Sequence, residues 1–95
     1  MKRPTIRKAT ADEITKYAAT KKLYPLYGFV KIDGQVCAVE DLRGEWSAPD
    51  PLYEIMIPTG FHVADELIHS MLCATIADAR ERAAYARLTP CTDAC

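Results

Sequence analysis

Apolar and polar positions alternate along Leu26–Leu42 on either side of a single dipeptide, Asp33-Gly34. Asp-Gly suits a two-residue type I′ turn, in which both central residues need positive φ. A two-residue turn sets the register of the whole hairpin. Ile32 is then expected to face Gln35, Val30 to face Cys37, Gly28 to face Val39 and Leu26 to face Asp41, forming a mostly apolar side. The other side carries Tyr27, Phe29, Lys31, Val36, Ala38 and Glu40 and is mixed. An isolated hairpin is marginal in water, so a further strand or helix has to cover the apolar side.

Upstream, Thr5 to Lys8 reads as a short strand, and Thr10-Ala11-Asp12-Glu13 as a capping box. Ile14, Tyr17 and Ala18 recur at helical spacing, and lysines load the last turns to about Lys22, where the helix dipole favours cations. Pro25 requires the helix to stop by Leu23. Downstream, Arg43 to Pro51 contains a glycine and two prolines and reads as a loop carrying the only tryptophan, Trp46, which either folds down as a lid on the core edge or stands out as a contact anchor for a partner. Leu52 to Ile57 follows as a strand, closed by Pro58 and Thr59-Gly60.

From Ala64 to Leu88 there is neither Gly nor Pro, and apolar residues fall at i, i+3, i+4 and i+7. That spacing predicts one long amphipathic helix. A competing reading makes Leu67 to Ala74 a buried strand and lets Thr75-Ile76-Ala77-Asp78 cap a shorter helix. The expected architecture is a small single α+β domain over residues 1–90, with an irregular tail at 91–95. Its three- to four-stranded, mainly antiparallel sheet would carry two helices packed on one face, in the order β-α-β-β-β-α. The helices would bury Ile14, Tyr17, Ala18 and Leu67, Ile68, Met71, Leu72, Ile76 against Val30, Ile32, Cys37, Val39 and Ile55.

The 95 residues suffice for one modest core and not for a two-lobed enzyme. No apolar run approaches the roughly 18 residues of a membrane span, and no apolar segment follows the charged start. A cytoplasmic protein without membrane partners is expected. Charge is unevenly placed. Residues 1–22 hold seven basic and two acidic side chains, and the remainder five basic and eleven acidic. Such asymmetry can mark a basic surface for nucleic acid or an acidic one for a protein.

Three sets of residues follow from this. Glu40, Asp41, Glu45 and Asp50 surround Trp46, a residue type enriched at interface hot spots, and are expected to form a protein-binding surface. Lys2, Arg3, Arg7, Lys8, Lys16, Lys21 and Lys22 form the alternative, a nucleic-acid surface. His62, Glu66, His69 and Cys73 would share a stripe of the long helix and are all metal-ligand types, the weakest of the three. Cys91 and Cys95 could complete such a site, form a disulfide or stay free, and Cys37 and Cys73 read as packing residues. Ser47 and Ser70 lack a nucleophile context, and the four glycines are isolated, so neither catalysis nor a phosphate loop is expected.

The run Thr5-Ile6-Arg7-Lys8-Ala9-Thr10-Ala11-Asp12-Glu13-Ile14, followed by the Asp33-Gly34 hairpin, resembles the opening of acyl-CoA-dependent N-acetyltransferases. Those enzymes hold the cofactor pyrophosphate on a Gly-rich turn that opens a helix. Ile57-Pro58-Thr59-Gly60-Phe61-His62 stands in its place and does not match. The order helix, three strands, helix is also similar to a double-stranded-RNA-binding domain, but Ala64-Asp65-Glu66 occupies the place of that family's phosphate-gripping lysines. The expected function is therefore a non-enzymatic binding protein without cofactors, a regulator or inhibitor contacting another protein or nucleoprotein complex. Anti-CRISPR proteins of phages are of this style, although no motif here identifies one. An apolar outer sheet face would add a homodimer.

Overall fold

The structure, a computed structural model, describes residues 4–20, 24–64 and 66–91. Its elements run β1 (Arg7–Lys8), α1 (Ala11–Ala19), β2 (Leu26–Ile32), β3 (Gln35–Asp41), β4 (Tyr53–Met56), β5 (Phe61–Val63), β6 (Ser70–Cys73), α2 (Ile76–Tyr85) and β7 (Leu88–Pro90). An antiparallel sheet of five strands, ordered β1-β2-β3-β4-β6, is joined by a two-stranded sheet of β5 and β7. The fold is α+β, as expected, with a wider sheet and more short strands than the sequence indicates.

The hairpin closes through Asp33 and Gly34, with φ of 49° and 79°. Ile32 pairs Gln35, Val30 pairs Cys37 and Gly28 pairs Val39, as the turn length dictates. Beyond Gly28 the register slips, and Leu26 pairs Glu40 rather than Asp41. A bulge adds one residue to β2 there, which changes the face of everything beyond it. Tyr27, expected on the outer side, packs edge-on against the buried Tyr53 of β4, with ring centroids 5.2 Å apart. Gly28 sits where the backbone of β1 crosses, and a β-carbon there would run into the Arg7 carbonyl.

The core is the Val30, Ile32, Cys37, Val39, Ile55 side of the sheet, all but closed to solvent. Helix α2 covers it through Ala79 and Ala83, whose small side chains sit one turn apart and let the helix approach closely. Helix α1 contributes no buried residue, and Ile14 is 38% exposed. It meets the sheet through Tyr17, whose hydroxyl donates to Glu40. By strand alternation Glu40 points away from the Val39 side. The two helices therefore lie on different faces, not one.

The capping box of α1 forms, with Glu13 N–H donating to the Thr10 hydroxyl at 3.2 Å and Thr10 N–H to the Glu13 carboxylate at 2.9 Å. The helix ends at Ala19, with Thr20 as its C-cap, and Lys21, Lys22 and Leu23 lie outside the described residues. The long helix over 64–88 does not form. Met71 and Cys73 are buried while Leu72 between them is half exposed, a period of two, and β6 pairs residue for residue with β4. Thr75 caps the shorter helix, its hydroxyl accepting from Asp78 N–H at 3.0 Å. The cap and the sheet edge outweigh the helical spacing. Leu88 to Pro90, for which no strand was expected, pairs with β5. Of residues 91–95 only Cys91 is described. Its N–H donates to the Gly60 carbonyl at 2.8 Å, and it is disulfide-bonded.

Candidate contact surface of the 43–51 loop

The loop between β3 and β4 hangs from one buried residue. Leu42 is 4% exposed, its N–H donates to the Leu52 carbonyl, and its own carbonyl accepts from both Glu45 and Trp46 N–H, at 3.1 and 2.9 Å. These bonds wind residues 42–46 into a tight turn. Asp50 N–H donates to the Ser47 carbonyl at 3.0 Å, and the Ala48–Pro49 peptide is cis. Every residue from Arg43 to Asp50 is exposed.

Trp46 is 45% exposed, and its indole N–H donates to the Tyr24 hydroxyl at 3.1 Å. The ring is thus oriented from a residue 22 positions away in the chain. Glu45 and Asp50 share the loop with it. Asp41 does not join them as a free acid. Its carboxylate accepts from Arg43 Nε at 3.0 Å and Nη2 at 2.8 Å, a two-pronged pair that holds its pKa below the ordinary carboxylate range. The same guanidinium lies 5.4 Å over the Tyr53 ring and 5.9 Å from Tyr27, and Lys8 stands 5.3 Å from Tyr27. Glu40 leaves the expected surface altogether, since it is 3% exposed and bonded to Tyr17. Of the expected protein-binding residues, Glu45, Trp46 and Asp50 stay exposed on the loop. Tyr24, which orients Trp46, and Arg43, which engages Asp41, escaped the sequence reading. Arg43 had a signal in its spacing from Asp41, but nothing in sequence ties Tyr24 to Trp46.

The basic alternative is largely neutralised among the described residues. Arg7 pairs Glu13 at 3.0 Å and Lys16 pairs Asp12 at 3.1 Å. Lys8 remains, while Lys2, Arg3, Lys21 and Lys22 lie outside the described residues. The metal stripe required a helix that is absent. Strand β5 carries His62, the following turn Glu66 and the approach to β6 His69, and Cys73 is buried at 1% exposure. The two imidazoles come to 6.4 Å between centroids, each with Nδ1 at 3.1 Å from a backbone carbonyl, Val63 for His62 and Phe61 for His69. Among the described residues no three potential ligands gather to hold a metal. Cys37 and Cys73 are free thiols whose pKa burial raises to about 11, which suits packing.

The fold and this loop define the protein only to the level of a small α+β domain with an anchored, aromatic surface loop. No family model, curated protein or solved structure matches the chain. Among the described residues no helix is long and apolar enough to cross a membrane.

Proposed function

We propose that this chain is a small non-enzymatic binding protein that acts by protein–protein contact through the 43–51 loop, as a regulator or inhibitor of a larger complex. One observation carries the reading: Trp46 is exposed yet held. Tryptophan supplies a large apolar area to an interface, and an indole already oriented by Tyr24 loses less freedom on binding than a mobile one. Glu45 and Asp50 give the loop an acidic rim, which selects for basic partners. The nucleic-acid alternative draws less support, because Arg7 and Lys16 already have carboxylate partners.

Capture from nuclease-treated lysate, with mass spectrometry of the retained proteins, tests the proposal. Wild type should retain a defined protein that the Trp46→Ala/Glu45→Ala double variant loses, while both melt at the same temperature. Equal retention by the double variant would overturn it. Retention that disappears on nuclease treatment would transfer the weight to the basic residues.

A further inference from the structure

The turn between β5 and β6 sets the chain's two histidines side by side. Val63 N–H donates to the Ile68 carbonyl at 2.9 Å, and the Val63 carbonyl accepts from Leu67 N–H at 2.9 Å. Leu67 closes this turn with φ of 55°, an uncommon conformation for leucine. A bond between residues 63 and 68 in the antiparallel sense puts His62 opposite His69, and their ring centroids lie 6.4 Å apart. His69 is exposed and His62 half-buried, so the pair is open to solvent.

Both rings are held by the same kind of contact. His62 Nδ1 lies 3.1 Å from the Val63 carbonyl, and His69 Nδ1 lies 3.1 Å from the Phe61 carbonyl. A carbonyl oxygen can only accept, so each Nδ1 carries the proton and each neutral ring keeps its lone pair on Nε2. Among the described residues no hydrogen bond engages either Nε2. Metal-ligating histidines are held in this way, with the second ring nitrogen donating to a carbonyl that fixes the tautomer.

We propose that His62 and His69 chelate one transition-metal ion of the zinc type through their two Nε2 atoms. Imidazole nitrogen suits zinc, copper and nickel, whereas magnesium and calcium take oxygen ligands. An ion about 2 Å from each Nε2 leaves the two ring centres roughly 5 Å apart at a tetrahedral angle and farther apart at wider ones. From 6.4 Å, the rings close by about an ångström to take a tetrahedral ion. Among the described residues no third ligand joins them, so water completes the coordination. The result is an open, exchangeable site, unlike the closed four-ligand sites that hold a fold together. The site also lies away from the Trp46 loop. The His69 carbonyl accepts from Ile57 N–H just past the end of β4, while the 43–51 loop precedes its start. Neither reading depends on the other.

Titration of the full chain with zinc chloride, followed by NMR of the imidazole nitrogens, provides the test. One equivalent of Zn²⁺ should shift both Nε2 resonances together and leave both Nδ1 in their protonated range, while Mg²⁺ shifts neither. This readout needs no variant. His62→Gln and His69→Gln should each weaken zinc binding at least about tenfold in calorimetry, because a single imidazole loses the chelate. Nε2 resonances that stay in place, or one that moves without the other, overturn the proposal. So does a zinc affinity that is unchanged in either glutamine variant. Zinc taken up at the cysteines or the terminal amine, without moving the imidazoles, counts against it in the same way.

Discussion

The Asp33 carboxylate accepts a hydrogen bond from the backbone N–H of Leu88 at 2.9 Å, across 55 positions of sequence. Asp33 is chosen locally, for the positive φ that the β2–β3 turn demands. Its side chain then ties that turn to the start of β7, which pairs with β5. One residue serves both sheets. Asp33→Ala removes the turn preference and the tie together and should lower stability by about 1–2 kcal/mol. Asp33→Asn keeps an oxygen acceptor and tolerates positive φ, so it should cost less than half as much. Urea unfolding of both variants measures the difference, and equal losses would show that the side-chain bond to Leu88 is idle.

Tyr17 is the anchor of α1. Burial first, and then the Glu40 carboxylate that its hydroxyl faces, push its pKa well above the ordinary tyrosine range. Tyr17→Phe withdraws a donor from a carboxylate that is 3% exposed and should destabilise the protein by about 1.5–3 kcal/mol, since hydrogen bonds to charged groups are the stronger kind. A loss under about 0.5 kcal/mol in denaturant unfolding would place the anchor of α1 elsewhere.

Glu13 provides a pH-dependent clip at the start of the same helix. The Arg7 guanidinium, followed by the Thr10 N–H, holds its pKa down from 4.5 to about 2. A carboxylate with a depressed folded pKa contributes its full stabilisation above the unfolded value and loses it as pH falls through the folded one. The β1–α1 junction should therefore hold above about pH 4.5 and loosen as the pH falls toward 2. An NMR titration should give the Glu13 carboxyl a midpoint near 2, with the Thr10 amide reporting the same midpoint. Glu13→Gln should abolish that response at Thr10, and a Glu13 midpoint near 4.5 would deny the clip.

Features that depend on near neighbours in the chain were legible in the residues themselves. Thr10 and Glu13 cap α1, Thr75 caps α2, and Asp33-Gly34 sets the register of Ile32, Val30 and Gly28 against β3. In each case the interacting groups lie within a few residues, so residue type and spacing decide the geometry. The loop that carries Glu45 and Asp50 follows in the same way from a stretch rich in glycine and proline that cannot continue a strand, whereas the choice of Trp46 between the core edge and solvent does not.

Tertiary structure decided what depends on distant partners. A single extra residue in β2 at Tyr27 sent Tyr27 against Tyr53 and set Leu26 opposite Glu40, and no local pattern marks that bulge. Leu67 to Cys73 carries apolar spacing that suits a helix. Only the open side of β4, with Ile55 to receive Met71 and Tyr53 to receive Cys73, makes a strand the better burial. The same choice dissolved the stripe of His62, Glu66, His69 and Cys73 and created the β6 edge. Sequence determined the caps, the turn and the loop, because their energies are local. The sheet decided which faces are buried, because burial belongs to the assembled structure.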